Sequence, residues 1–388
     1  MAKTLKDSPI ADRIAVVAIS LMAIGTVFVF SASADISRDI SFQQFYSFAG
    51  LRQLLFFPLA VGIMYIVSCI DYHRFGLTGG WFKSPIVYLL SVSIVLLVLV
   101  LIPQIGTEVN NARRWLKIPA GPLTISFQPS ELAKWLMIIF LSGFCSSYGD
   151  RLRSYWKVFI PVCLIIGTVA GLVLKEDFGT AALISLLSFL LLVFGGTKLW
   201  YIATLLPAGL VAFAAALVSS PARMKRIEAF LRPEELAGSA AYQANQSLIA
   251  LGSGGLFGRG LGRGICKYGH LPEDTTDFIF AIVGEEMGFV GTAAVILLFI
   301  IFVWLGILVI IRSKDYFGQM LASGIVLSIA IQAALNIGVV TVVLPTKGIP
   351  LPFVSAGGTS MLLTAAAVGI LLNIAKQSSD AASQEQPL

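Results

Sequence analysis

The residues best suited to chemistry lie in three polar stretches between long apolar runs. The first, Asn110-Asn-Ala-Arg-Arg-Trp-Leu-Lys117, sets Arg113, Arg114 and Lys117 beside Trp115. Guanidinium groups hold phosphate oxygens through paired hydrogen bonds. The cluster therefore reads either as a phosphate or pyrophosphate site at a membrane surface or as a contact with lipid headgroups. The second stretch is Leu271-Pro-Glu-Asp-Thr-Thr-Asp-Phe278, in which Asp277 stands at the water–lipid boundary. Partial desolvation raises a carboxylate pKa, and a raised carboxylate is a usable general base; a helix N-cap is the alternative. The third, 344–360, carries three prolines and three glycines. It has no regular helix before Thr359, and irregular backbone near a membrane is tolerated where it lines a cavity.

Other polar residues have definite positions. Gln243, Gln246 and Ser247 fall at i, i+3 and i+4 on one helical face, which suits a sugar site or the polar side of a surface helix. The glycine-rich run 252–264, with Arg259 and Arg263, is not a nucleotide-binding fingerprint, because neither its spacing nor its context fits. It reads as a flexible loop whose backbone can approach a ligand closely. Glu131 and Lys134, three apart on one helix face, either shape a polar cavity or form an internal ion pair. Asp177 reads as a cap opening a helix, and Glu285 and Glu286 as structural.

These stretches are positioned by a membrane bundle. Of 388 residues, 57% are hydrophobic and 12% charged, against roughly 25% charged in soluble domains. A net charge of +6 does not suggest nucleic acid. The four cysteines form no C-x-x-C pair, and two distant histidines make no metal site. Apolar runs at 14–34, 53–70, 85–102, 130–149, 158–174, 178–197, 199–222, 288–311, 319–345 and 358–375 predict about ten transmembrane helices. The first run is too long for a signal-peptide core and reads as a retained span. The expected architecture is an all-α polytopic membrane domain over 1–375 with one large extracytoplasmic loop at about 220–277. A disordered cytoplasmic tail is expected over 376–388. With both termini cytoplasmic, inner segments hold twelve Lys and Arg, and outer segments hold seven outside the long loop, as the positive-inside rule requires. The segments 103–129, 220–277 and 346–357 then share one face.

Read together, Asn-Asn-Ala-Arg-Arg-Trp, Gln-Pro-Ser-Glu with Lys134, Tyr-Gln-x-x-Gln-Ser, Leu-Pro-Glu-x-x-Thr-Asp-Phe-Ile-Phe-Ala and Pro-Leu-Pro-Phe-Val-Ser-Ala-Gly-Gly-Thr-Ser resemble the SEDS family of shape, elongation, division and sporulation proteins, which includes RodA and FtsW. Pro345-Thr-Lys-Gly348 is closer to division members. The resemblance implies a ten-helix peptidoglycan glycosyltransferase that polymerises glycan strands from lipid II with inversion, with Asp277 as the essential acid. It also implies a class B penicillin-binding transpeptidase partner, other division or elongation proteins, and a place in the bacterial inner membrane, at the septum for a division member. A carboxylate base and cations for the leaving pyrophosphate are the minimal equipment. The expected substrate contacts are Arg113, Arg114, Trp115, Lys117, Gln243, Gln246, Arg259, Arg263, Lys347 and Ser355. No cofactor is evident; a divalent cation could assist, without a dedicated acidic cage. Thr275 departs from the family's common His, and Val342 from its common Gly, Thr or Arg, a change expected to touch packing. A lipid II flippase is the alternative activity and a scaffold for wall enzymes a third.

Overall fold

The computed structural model describes residues 9–33, 49–77, 84–109, 112–120, 123–149, 154–232, 239–268 and 271–384. Asn110, Asn111, His270 and the last four residues of the tail lie outside them. The helices in chain order are α1 (Pro9–Ser33), α2 (Ala49–Ser68), α3 (Pro85–Leu101), α4 (Pro129–Tyr148), α5 (Ile160–Glu176), α6 (Phe178–Phe194), α7 (Leu199–Val218), α8 (Pro221–Leu231), α9 (Ser239–Ser253), α10 (Ile279–Arg312), α11 (Tyr316–Val340) and α12 (Gly358–Gln384).

Seven of the ten expected runs are helices long and apolar enough to cross a bilayer. Two more, α3 and α6, are apolar helices of 17 residues, and α4 has 20 residues with Glu131 and Lys134 buried inside it. Large apolar side chains such as Leu59, Val95, Leu164, Leu210 and Trp304 face outward, as lipid-facing residues do. The chain has a polytopic membrane fold. Helix α12 sits at its centre, packed on α1, α2, α4, α10 and α11, while α7 is peripheral, with only Tyr201 and Ile202 buried.

Three features correct the sequence expectation. The segment 103–129 is not a plain loop but a three-stranded antiparallel sheet, β1 (Gly106–Val109), β2 (Ala112–Ala120) and β3 (Leu123–Phe127). The tail is helical through Gln384, because its Ala, Ser and Gln residues contain no Gly or Pro to stop α12. The glycine-rich run is not a free flexible loop: its backbone docks on a break in α10. There Gly288 adopts φ 64°, ψ −158°. Phe289 N–H donates to Gly255 O (2.9 Å) and Val290 N–H to Leu256 O (3.1 Å), while Arg259 and Gly260 N–H groups donate to Glu285 O and Glu286 O. These bonds satisfy backbone groups that the kink frees. A Cβ on Gly288 would lie 2.4 Å from Gly258 N, so glycine is required there.

Two buried ion pairs tie the bundle. Lys134 Nζ contacts Glu131 Oε2 at 2.8 Å and donates to Gln332 of α11 at 2.9 Å, and Ser360 of α12 donates to Glu131. Lys267 Nζ meets Glu286 at 2.9 Å, with Ser31 of α1 bonded to both. Glu285 accepts the N–H groups of Ile265 and Cys266. All three glutamates are structural by geometry.

Candidate active site

Asp277 ends the 271–278 loop, just before α10. Its main chain is fixed from two sides. Asn336 Nδ2, on α11, donates to Asp277 O and to Ile349 O, both at 2.8 Å. Ser355 Oγ donates to Thr276 O and accepts from Leu351 N–H, and Ala356 N–H donates to Thr275 O at 2.8 Å. The loops 271–278 and 345–357 are thereby stitched into one surface. Ser355 has its hydroxyl engaged in that seam, so it holds the loops rather than offering a free group to substrate.

The Asp277 side chain is different. Among the described residues no side chain hydrogen-bonds or ion-pairs with its carboxylate, although the residue is densely surrounded. Burial pushes its pKa up to about 7; Glu273 adds to the rise, Arg114 opposes it, and Asp177 and Arg226 act more weakly. Asp274 is pushed up to about 6, first by burial. The nearest backbone is Gly348, where a Cβ would lie 3.0 Å from Asp277 Oδ2.

The cations around Asp277 come from separate elements. On β2 the register steps from Trp115–Thr107 to Arg113–Glu108, leaving Arg114 as an extra, unopposed residue. Such a bulge re-aims a side chain: Arg114 Nε donates to Glu176 O at 2.8 Å, and its terminal nitrogens have no partner among the described residues. Arg226 on α8 is the second cation. Its pKa is lowered by crowding from the surrounding protein and then by Arg114, and the residue is exposed on α8, open to an anion. Arg223, one turn earlier, donates to Ala216 O and Leu174 O and lies 5.1 Å from the Phe178 ring centroid. Lys347 lies over the same ring at 5.0 Å, its pKa lowered by burial. Arg223 and Arg226 escaped sequence reasoning; the available signal was their i, i+3 spacing after the helix-opening Ser220-Pro221.

The remaining candidates sit elsewhere. The Arg113 side chain pairs with Glu108 at 3.3 Å, and Lys117 is exposed on the sheet while Trp115 is half-buried. Gln243 and Gln246 are half-buried on α9, where Ser247 bonds Val340 O at 2.7 Å. Arg259 points toward Glu285 at 3.8 Å, and Arg263 is exposed in the docked glycine loop. Asp177 caps α6 through Thr180 N–H and Oγ1 and accepts from Gln128.

Backbone strain concentrates in the same segments. The non-glycine residues with positive φ among those described are Glu273 (58°), Val342 (57°) and Phe353 (67°), and each lies in a segment framing Asp277. Val342 follows α11 in a Schellman cap, with Val343 N–H donating to Gly338 O and Val342 N–H to Val339 O. The usual residue at that position is glycine. The departure at 342 is therefore a backbone matter, not the packing change expected.

The family model of the FtsW, RodA and SpoVE cell cycle proteins matches residues 12–380. The chain belongs to this family. It is 38% identical to the stage V sporulation protein E of Bacillus subtilis, over 97% of this chain and 99% of that one. It is 39% identical to the probable peptidoglycan glycosyltransferase FtsW of Trichlorobacter lovleyi, over 92% of this chain and 90% of that one. Among solved structures it resembles a chain of a peptidoglycan synthase complex (TM-score 0.72, 24% identity, covering 94% and 97% of the two chains). It also resembles the rod shape determining protein RodA of Thermus thermophilus (0.63, 24%, 94% and 96%). With its helices, these likenesses make it a multi-pass membrane protein of the SEDS fold.

Proposed function

We propose that this chain is a peptidoglycan glycosyltransferase that polymerises glycan strands from lipid II, with Asp277 as general base. The observation that carries this reading is a desolvated carboxylate with no side-chain partner among the described residues, under the field of Arg114 and Arg226 from two other elements. The names of the FtsW relatives supply the reaction class.

In the proposed step an acceptor sugar hydroxyl attacks the anomeric carbon of the donor. Its proton passes to the Asp277 carboxylate as the new C–O bond forms. The bond to the pyrophosphate breaks with inversion, and the electron pair leaves on the phosphate oxygen. Arg114, Arg226 and Lys347 stand where that charge can be met by fixed cations, which favours the transition state over the ground state. The polyprenyl tail lies along the apolar outer helices. Asp277 faces the extracytoplasmic side and both termini the cytoplasm, at the septum for a division or sporulation member. A class B penicillin-binding transpeptidase is the expected partner, since the structural neighbour comes from a synthase complex that couples polymerisation to crosslinking.

The transporter alternative leaned on charges within the membrane. Those charges, Glu131 and Lys134, are paired with each other and with Gln332 and Ser360, which favours a clamp over a moving carrier. Incubation of the reconstituted chain with purified lipid II in detergent, alone and with its transpeptidase, tests the proposal. Glycan polymer from wild type and none from Asp277→Asn is expected; no polymer from any preparation would leave transport in place. Impermeant thiol labelling of Ser239→Cys but not Ser378→Cys in intact cells, with Cys266 replaced, checks the orientation.

A further inference from the structure

We infer that Asn336 is a positioning residue for the polymerase reaction: its amide fixes the Asp277 main chain against the 348–350 backbone. This rests on the reading of Asp277 as the base.

Asn336 is 1% exposed. Its two N–H groups are divided between two carbonyls from different loops, Asp277 O and Ile349 O, at equal distances of 2.8 Å. Its Oδ1 has no hydrogen-bond partner among the described residues. An amide placed only to fill a polar core satisfies both ends; this one engages only its donors. One turn earlier on α11, Gln332 Nε2 donates to the next carbonyl, Pro350 O, at 3.0 Å, while Lys134 bonds its oxygen. Residues four apart share a helix face, so α11 grips two consecutive peptide groups of the 345–357 loop. Asn336 alone also reaches the base. The consequence is geometric. With the Ile349 and Asp277 carbonyls on one amide, the Asp277 main chain is held against the segment carrying Gly348, where a Cβ would lie 3.0 Å from Asp277 Oδ2.

Removing the amide frees the Asp277 main chain, from which the carboxylate projects, to shift toward water. The charged groups that set the Asp277 environment are Glu273 in its own loop, Arg114 on β2, Asp177 at the start of α6 and Arg226 on α8; none is altered by a change at Asn336. A released Asp277 gains water and its pKa falls toward the ordinary carboxylate value.

The test is the pH dependence of lipid II polymerisation by the reconstituted full-length chain, wild type against Asn336→Leu, which is close to isosteric. The expected result is an acid limb moved to lower pH by about one unit or more, with turnover down about ten-fold or more and KM little changed. Turnover lost with the acid limb unmoved would make Asn336 purely structural and overturn the inference. A wild type that shows no acid limb would instead remove Asp277 as the base, and the inference with it. Should the leucine variant fail to fold, Asn336→Ala admits water to the freed carbonyls and carries the same two opposed outcomes.

Discussion

Asp277 and Glu286 lie nine residues apart, yet their surroundings are opposite: Asp277 is half-buried and Glu286 fully buried. Glu286 is met by Lys267 Nζ at 2.9 Å and by Ser31 Oγ at 2.8 Å. Its neighbour Glu285 accepts two backbone N–H groups. Asp277 has its backbone anchored and its carboxylate without a partner among the described residues, pushed up to about 7. A buried charge with complete partners fixes structure, because losing one partner strands the other in a low dielectric. A buried carboxylate without partners costs stability and is kept where a proton has to be taken. The proposed base and the two glutamates thus differ in hydrogen-bond satisfaction among the described residues as well as in burial.

The comparison can be broken most forcefully at its two ends. Asp277→Asn is expected to lose polymerisation by about 10²–10⁴-fold. It should also raise the melting temperature at pH 8. The sign follows from the raised pKa: protonation favours the fold, so wild-type stability falls as pH rises from the ordinary carboxylate value through about 7. The neutral amide escapes that loss, so the difference between the two proteins should shrink as pH falls through about 7 and close only near the ordinary carboxylate value, about pH 4. Glu286→Gln is expected to do the reverse. It should cost about 3–5 kcal/mol by stranding Lys267, with activity per folded molecule largely kept.

Arg114→Ala and Arg226→Ala come next. Each is expected to lower turnover about ten-fold or more, as loss of a charge-assisted contact does. Arg113→Ala, whose partner is the exposed Glu108, should change turnover less than about two-fold. A drop below about two-fold at both Arg113 and Arg114 would return the β2 cations to a headgroup role. Gly348→Ala would set a Cβ 3.0 Å from Asp277 Oδ2 and is expected to reduce turnover by a few-fold while the melting temperature stays close to wild type. The smallest effect is at Val342→Gly. Relief of the left-handed strain, roughly 1–2 kcal/mol, is partly offset by the chain entropy of glycine, roughly 0.5–1 kcal/mol. A net gain of under about 1 kcal/mol in thermal stability is expected.

The helices were legible because an uninterrupted apolar run has one solution in lipid. The convergence of three polar segments on Asp277 was legible as well, from their common face. The sheet was not: Arg113 to Lys117 read as a charge cluster, and the Gly and Pro near residues 119–122 read as loop. Without the sheet there was no bulge to separate Arg114 from Arg113. Arg226 was hidden because α8 is short and mostly exposed, so only its total charge registered. The glycine run misled because glycine signals close backbone approach without naming the partner. Here the partner is the kink at Gly288, a long-range contact that no local pattern encodes. Val342 shows the converse, since the cap that favours glycine at this position became readable only as a φ of 57°.

The central claim, that Asp277 is an unpaired, desolvated base, is tested most directly by the single-turnover rate of lipid II polymerisation by the wild-type chain between pH 5 and 9. The account predicts a plateau above about pH 7 and a fall of about ten-fold per unit below it. A rate that stays level down to pH 5 would contradict it.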